Sequence, residues 1–256
     1  MEIVKVYEEL GELMKTKSVE EVCKFLQEKC VAYDKEKPDD YIGRSALYNE
    51  LGAILRNTGH FEDGEKSFII AKTLLERKIS KYEESCSTGC CCGGSRAVIV
   101  DSFDKTSDGT IDLRITAEYG TILNNLAGLY RMSKQYDKSI TLFNDALAVY
   151  KVSANVPVEL LASCYNNLGI LYIEIKELDN AISNLNTALE IVDGKDEETA
   201  TTKGNLGIAY FAKEDYVNAR LAMEQAAELR LKVSNKDDDA YKYYINSLET
   251  INQKLC

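Results

Sequence analysis

The chain has 256 residues, a formal net charge of −11 and 45% hydrophobic residues. That length admits one long repeat array or two small domains, and the acidic balance argues against nucleic acid as a partner. No apolar run reaches the about 18 residues of a membrane-spanning helix. The opening MEIVKVYEELGELM reads as an acidic amphipathic helix and not as a leader, so the eight cysteines are expected as reduced thiols in the cytoplasm.

Residues 1–81 carry two helix pairs. In the first, over 1–34, Leu10, Gly11 and Met14 lie on one helix. Cys23 and Cys30 take two small positions of the next, with Gln27 between them and Leu26 beside it. This pair reads as a degenerate cap, since terminal units of an array are usually atypical, and its cysteines as small buried residues. The second pair, over 35–81, contains YNELGAILRNTGHFEDGEKSFIIA from Tyr48 to Ala71. His60, the only histidine, falls in the turn before Phe61, which leaves nothing to build a His-based metal cluster or a Ser/His/Asp triad around it.

Residues 82–112 break the period. Their first half is rich in Gly, Ser and Cys and is expected as a loop. Cys86, Cys90, Cys91 and Cys92 raise zinc or reversible S-acylation, but three consecutive thiols cannot readily reach three corners of one tetrahedron. The second half, FDKTSDGTID, resembles the start of an EF-hand calcium loop, with Asp104, Thr106, Asp108, Gly109, Ile111 and Asp112 in place. The twelfth position holds Ile115 instead of a bidentate Glu, and Glu118 comes three residues too late. Asp104, Asp108 and Asp112 are therefore only weak metal candidates, and no cofactor is expected. A short hairpin of Ala97–Val100 with Thr110–Leu113 is the alternative; an irregular insertion is the preferred reading.

Residues 113–235 hold three regular helix pairs: Leu123–Ala148, Tyr165–Ala188 and Lys203–Ala226. Aligned with Tyr48–Ala71, they place Leu51, Leu126, Leu168 and Leu206 at one position and Gly52, Ala127, Gly169 and Gly207 at the next. Leu55, Tyr130, Tyr172 and Tyr210 follow three residues on. The second helices align Gly64, Ser139, Ala181 and Ala219, then Phe68, Phe143, Leu185 and Met223, then Ala71, Ala146, Ala188 and Ala226. A small residue marks close approach of the two helices, and a large one fills the seam. Such a pair has apolar surface on both sides and needs a copy above and below. Residues 236–256 form a last helix with the apolar stripe Ala240, Tyr244, Leu248, Ile251 and Leu255 opposite Lys242, Asn246, Glu249 and Gln253, as a cap requires.

The aligned positions resemble the tetratricopeptide repeat (TPR) over most of the chain. Asn124–Asn125 and Asn166–Asn167 before the Leu, and the 42 residues from Ala127 to Gly169, resemble the kinesin-light-chain subclass. The spacing shortens to 38 from Gly169 to Gly207 and widens to 75 from Gly52 to Ala127, where the insertion lies. The resemblance implies an all-α right-handed solenoid of antiparallel helix pairs, with about eleven helices and one irregular insertion.

No phosphate-binding loop, HExxH or Gly-x-Ser-x-Gly is present, so no enzymatic activity is expected. In the TPR arrangement the first helix of each pair lines a concave groove. The resemblance places Glu50, Asn125, Asn167 and Asn205 on that wall, with Asn49, Asn124 and Asn166 a step away and Arg56 and Arg131 one turn further. Asn amides both donate and accept and can grip the main chain of a bound segment; the same amides could instead serve the fold. The positions of a co-chaperone carboxylate clamp keep their Asn members and lack every basic one, so a terminal carboxylate finds no countercharge there. The function implied is a cytoplasmic scaffold or adaptor holding a peptide segment or helix of a protein partner. The alternative is a peptide- or calcium-responsive TPR sensor.

Overall fold

Residues 2–86, 113–152, 156–192, 194 and 196–255 are described by the computed structural model, with side chains described outside 80–86 and 113–116. Eleven helices run through them: α1 (Ile3–Thr16), α2 (Val19–Glu36), α3 (Tyr41–Asn57), α4 (Phe61–Cys86), α5 (Leu113–Met132), α6 (Tyr136–Val152), α7 (Val158–Glu174), α8 (Leu178–Ile191), α9 (Asp196–Ala212), α10 (Tyr216–Val233) and α11 (Asp239–Leu255). No strand occurs among the described residues. α4 runs through Tyr82–Cys86, which composition assigned to a loop; the helix-breaking glycines begin only at Gly89, and Glu83 and Glu84 are good helix formers. Cys90, Cys91, Cys92 and the metal candidates Asp104, Asp108 and Asp112 lie outside the described residues.

The chain divides into two compact units, Met1–Asn155 with α1–α6 and Val156–Cys256 with α7–α11. Within each, consecutive helices pack on one another, and the first helices of neighbouring pairs also touch, α3 on α5 and α7 on α9. The seam of each pair sets small against large. A Cβ at Gly52 would stand 2.8 Å from the Phe68 ring, at Gly169 2.6 Å from Leu185 Cγ, and at Gly207 2.8 Å from Met223 Cγ. The methyl of Ala127 is the most that position carries in any copy, and Ala127 and Phe143 are both fully buried. Shape thus joins hydrophobicity in fixing how closely each pair approaches.

The turns inside the four aligned pairs close alike. Gly59, Lys134, Lys176 and Glu214, each eight residues after the aligned Leu, have φ of 81°, 60°, 63° and 64°. The residue after each donates its N–H to the carbonyl five residues back: His60 to Leu55, Gln135 to Tyr130, Glu177 to Tyr172 and Asp215 to Tyr210. This is the left-handed closure that satisfies orphan carbonyls at a helix end. Only the first copy uses the residue that adopts it without strain.

Both ends depart from the repeat. In α2 the core position passes from Gln27, which is exposed, to Leu26, which is fully buried, and Cys23 and Cys30 are buried beside it as expected. Burial pushes the Cys30 thiol up to about 12, with Asp34 adding to it, so it is a poor nucleophile. In α11, Tyr244 and Ile251 are buried on α10, but Leu255 is exposed at the helix end. Asp238 accepts from the N–H of Tyr241 (2.9 Å) and from Nε and Nη2 of Arg230 (2.9 and 2.8 Å), which ties α11 to α10.

Candidate interaction groove

The residue before the aligned Leu and the residue two before it are joined between successive first helices. In the first unit Asn125 Nδ2 donates to Asn49 Oδ1 at 3.1 Å, from α5 to α3. In the second unit Asn205 Nδ2 donates to Asn166 Oδ1 at 2.9 Å, from α9 to α7. The register is the same in both: the position before the Leu in the later copy donates to the position two before it in the earlier copy. These two amide pairs bridge successive repeats. Each pair keeps spare capacity, because an amide has two donors and two acceptor sites. Asn205 Oδ1 and Asn166 Nδ2 have no partner among the described residues.

Asn125 is engaged from both sides. Its main-chain and side-chain oxygens each accept from Arg56 Nη1 at 3.4 Å, while Arg56 Nε donates to Asn57 Oδ1 at 3.2 Å. Burial presses the Arg56 pKa down, and the nearby Arg131 guanidinium adds to that effect. Six of the nine expected groove residues, Asn49, Glu50, Arg56, Asn124, Asn125 and Arg131, belong to the first unit; Asn166, Asn167 and Asn205 belong to the second. The structure brings together Asn49, Asn125 and Arg56 in the one and Asn166 with Asn205 in the other. Asn124, Arg131 and Asn167 each have interactions of their own and are not free groups.

Two further residues of the first unit are linked to Glu50 electrostatically. Glu118 on α5 lies two helical turns before Asn125 on the same face, and Tyr7 lies on α1. Glu118 Oε1 is buried and has no hydrogen-bond partner among the described residues. Burial first, and the charge of Glu50 second, push the Glu118 carboxyl up to about 7. Burial also raises the Glu50 carboxyl. The Tyr7 hydroxyl is raised by burial, then by Glu50, Glu118 and Cys30. The seven-residue step back from Asn125 is a signal that could have found Glu118 in the sequence; none marks Tyr7. Among the described residues no group of three or more His, Cys, Asp or Glu side chains could hold a metal ion, and no helix is long and apolar enough to cross a membrane.

The tetratricopeptide-repeat family matches residues 118–193 and 160–232. No curated protein matches the chain. Among solved structures, BtubC (BKLC) from P. vanneervenii superposes with a TM-score of 0.66 at 15% identity, covering 93% of this chain and 85% of its own. A kinesin-light-chain-type protein of Podosopora anserina with nearly identical TPR-like repeats gives 0.60 at 13%, covering 90% and 96%. RapI in its apo form gives 0.54 at 16%, covering 99% and 71%. At such identities the likeness is one of fold. The aligned Leu, Gly/Ala and Tyr positions, the small-on-large seams and the match over residues 118–232 identify tetratricopeptide repeats in that part of the chain, and the solved structures share its helical solenoid fold.

Proposed function

We propose that the protein is a non-catalytic scaffold that holds a peptide segment or helix of a protein partner along the faces of its first helices. The observation that carries this is the amide pair repeated in both units, Asn49 with Asn125 and Asn166 with Asn205. Stability alone does not call for polar bridges on a half-exposed helix face, where hydrophobic packing would serve. An amide already oriented by its neighbour has lost part of its rotamer freedom before a ligand arrives, which lowers the cost of binding. Its remaining donors and acceptors match those of a peptide main chain whatever the side chains.

The test is a random peptide display selection on the whole chain, followed by calorimetric titration of an enriched synthetic peptide. Asn125→Ala with Asn205→Ala should weaken binding about tenfold or more, since each lost hydrogen bond is worth about 0.5–1.5 kcal/mol and 1.4 kcal/mol is a factor of ten. Unchanged affinity for every selected peptide, or loss of folding by circular dichroism, would return the amides to a purely structural role.

A further inference from the structure

In three of the four aligned second helices, the two positions after the large seam residue are polar: Asn144 and Asp145, Asn186 and Thr187, Glu224 and Gln225. On α4 the same positions hold Ile69 and Ile70, which are 45% and 41% exposed. Ile69 stands at a cleft of about 480 Å³ between α4 and α6, with Thr73, Thr141 and Leu142 on its walls and Leu126 and Tyr130 of α5 as its floor. Both floor residues are buried. The Tyr130 hydroxyl donates to Glu65 Oε1 at 2.5 Å, which holds the ring in place. The cleft is therefore apolar at its base and preformed.

The second unit carries a second apolar pair in the open. Val217 and Leu221 lie one turn apart on one face of α10 and are 64% and 51% exposed. Here too the other copies are polar: Glu62, Asp137 and Asp179 match Val217, and Lys66, Thr141 and Ser183 match Leu221. A single exposed aliphatic side chain is ordinary on a protein surface. Two pairs, each at positions that the other copies keep polar, are not explained by the repeat. One pair stands beside a cleft and the other protrudes from a helix, so the two have the shapes of a socket and a knob.

The charges agree with that match. Lys138 lines the cleft with its Nζ 4.9 Å over the Tyr130 ring and donates to Gln135 Oε1 at 2.7 Å; no carboxylate meets it among the described residues. The other lysine of the cleft, Lys72, is already paired with Glu76. Asp137 beside Lys138 lies in the first turn of α6, where the helix N-terminus favours an anion. Glu214, three residues before Val217, is exposed, and its side chain makes no hydrogen bond or ion pair among the described residues. From this complementarity we infer that the cleft between α4 and α6 of one molecule receives Val217 and Leu221 of a second copy, with Glu214 of that copy meeting Lys138. The contact joins two different patches and is heterologous. It is a few side chains wide, which places it among weak interfaces of under about 1,200 Å². Its walls are second helices, so it goes beyond the groove reading, which concerns the first helices.

The experiment is sedimentation equilibrium on the whole chain at concentrations up to about 1 mM, high enough to populate a weak contact. It compares the wild type, Ile69→Asp, Leu221→Asp and an equimolar mixture of the two variants. Both side chains are exposed, so the fold is retained; circular dichroism checks it. The average mass of the wild type should rise with concentration. Each variant alone should associate at least tenfold more weakly. The mixture should associate again, because one variant brings an intact knob and the other an intact cleft. A second pair reads the charges: Lys138→Glu and Glu214→Lys should each associate more weakly alone and regain association when mixed. A wild type that stays monomeric throughout, variants that associate as the wild type does, or mixtures no more associated than their components overturn the inference.

Discussion

Glu118→Gln should stabilise the protein, and by an amount that depends on pH. The folded carboxyl is pushed up to about 7 from an ordinary value of 4.5, so the native state holds its proton more tightly than the unfolded chain. Below pH 4.5 both states are protonated and the group costs nothing. As pH rises through the interval the unfolded chain ionises first, and stability falls until the folded group ionises as well. At 1.36 kcal/mol per unit the whole loss is about 3 kcal/mol, nearly complete by pH 8 and under about 1 kcal/mol at pH 5. Gln does not titrate, so the stabilisation on substitution should be about 2.5 kcal/mol greater at pH 8 than at pH 5. Any fixed effect of Gln on packing cancels in that difference. Glu50 titrates in both proteins and largely cancels too. Urea unfolding followed by circular dichroism, at both pH values and for both proteins, gives the four free energies. Equal stabilisation at the two pH values would show that Glu118 ionises as an ordinary surface carboxylate.

Leu168, only 2% exposed, should cost about 2–5 kcal/mol as Leu168→Ala in a denaturant titration, through the cavity it leaves. Gly169→Ala should destabilise by about 1–3 kcal/mol, because its Cβ meets Leu185 Cγ at 2.6 Å. Gly11→Ala, with nothing within 4 Å in the middle of α1, should instead raise the melting temperature, by a gain of about 0.5–1 kcal/mol. Lys134→Gly, Lys176→Gly and Glu214→Gly should each add about 0.5–1 kcal/mol by relieving a left-handed residue; Gly59→Ala at the matching turn should lose a similar amount. A loss at the three former sites in thermal melts would contradict the turn geometry.

By itself the sequence determined the repeat and its seams. Leu, a small residue and Tyr recur at fixed offsets because each copy must bury the same face, and burial writes itself into the helical period. The facing of Gly169 on Leu185 and of Gly207 on Met223 was therefore legible. The alignment gave the turns their position but not their strain, since three of the four αL residues are Lys or Glu and carry no Gly signal. The candidate groove was half legible. The Asn residues could be placed on one face, but which amide meets which could not. Only the tertiary structure decided that Asn125 bridges to Asn49 and Asn205 to Asn166, and that an oxygen of the Glu118 carboxyl is buried. The reason is geometric. Periodicity records which face of a helix is dry, and that is a property of the helix alone. Which wet side chains meet depends on the stagger between neighbouring helices, and that stagger is set by the packing of all the seams at once.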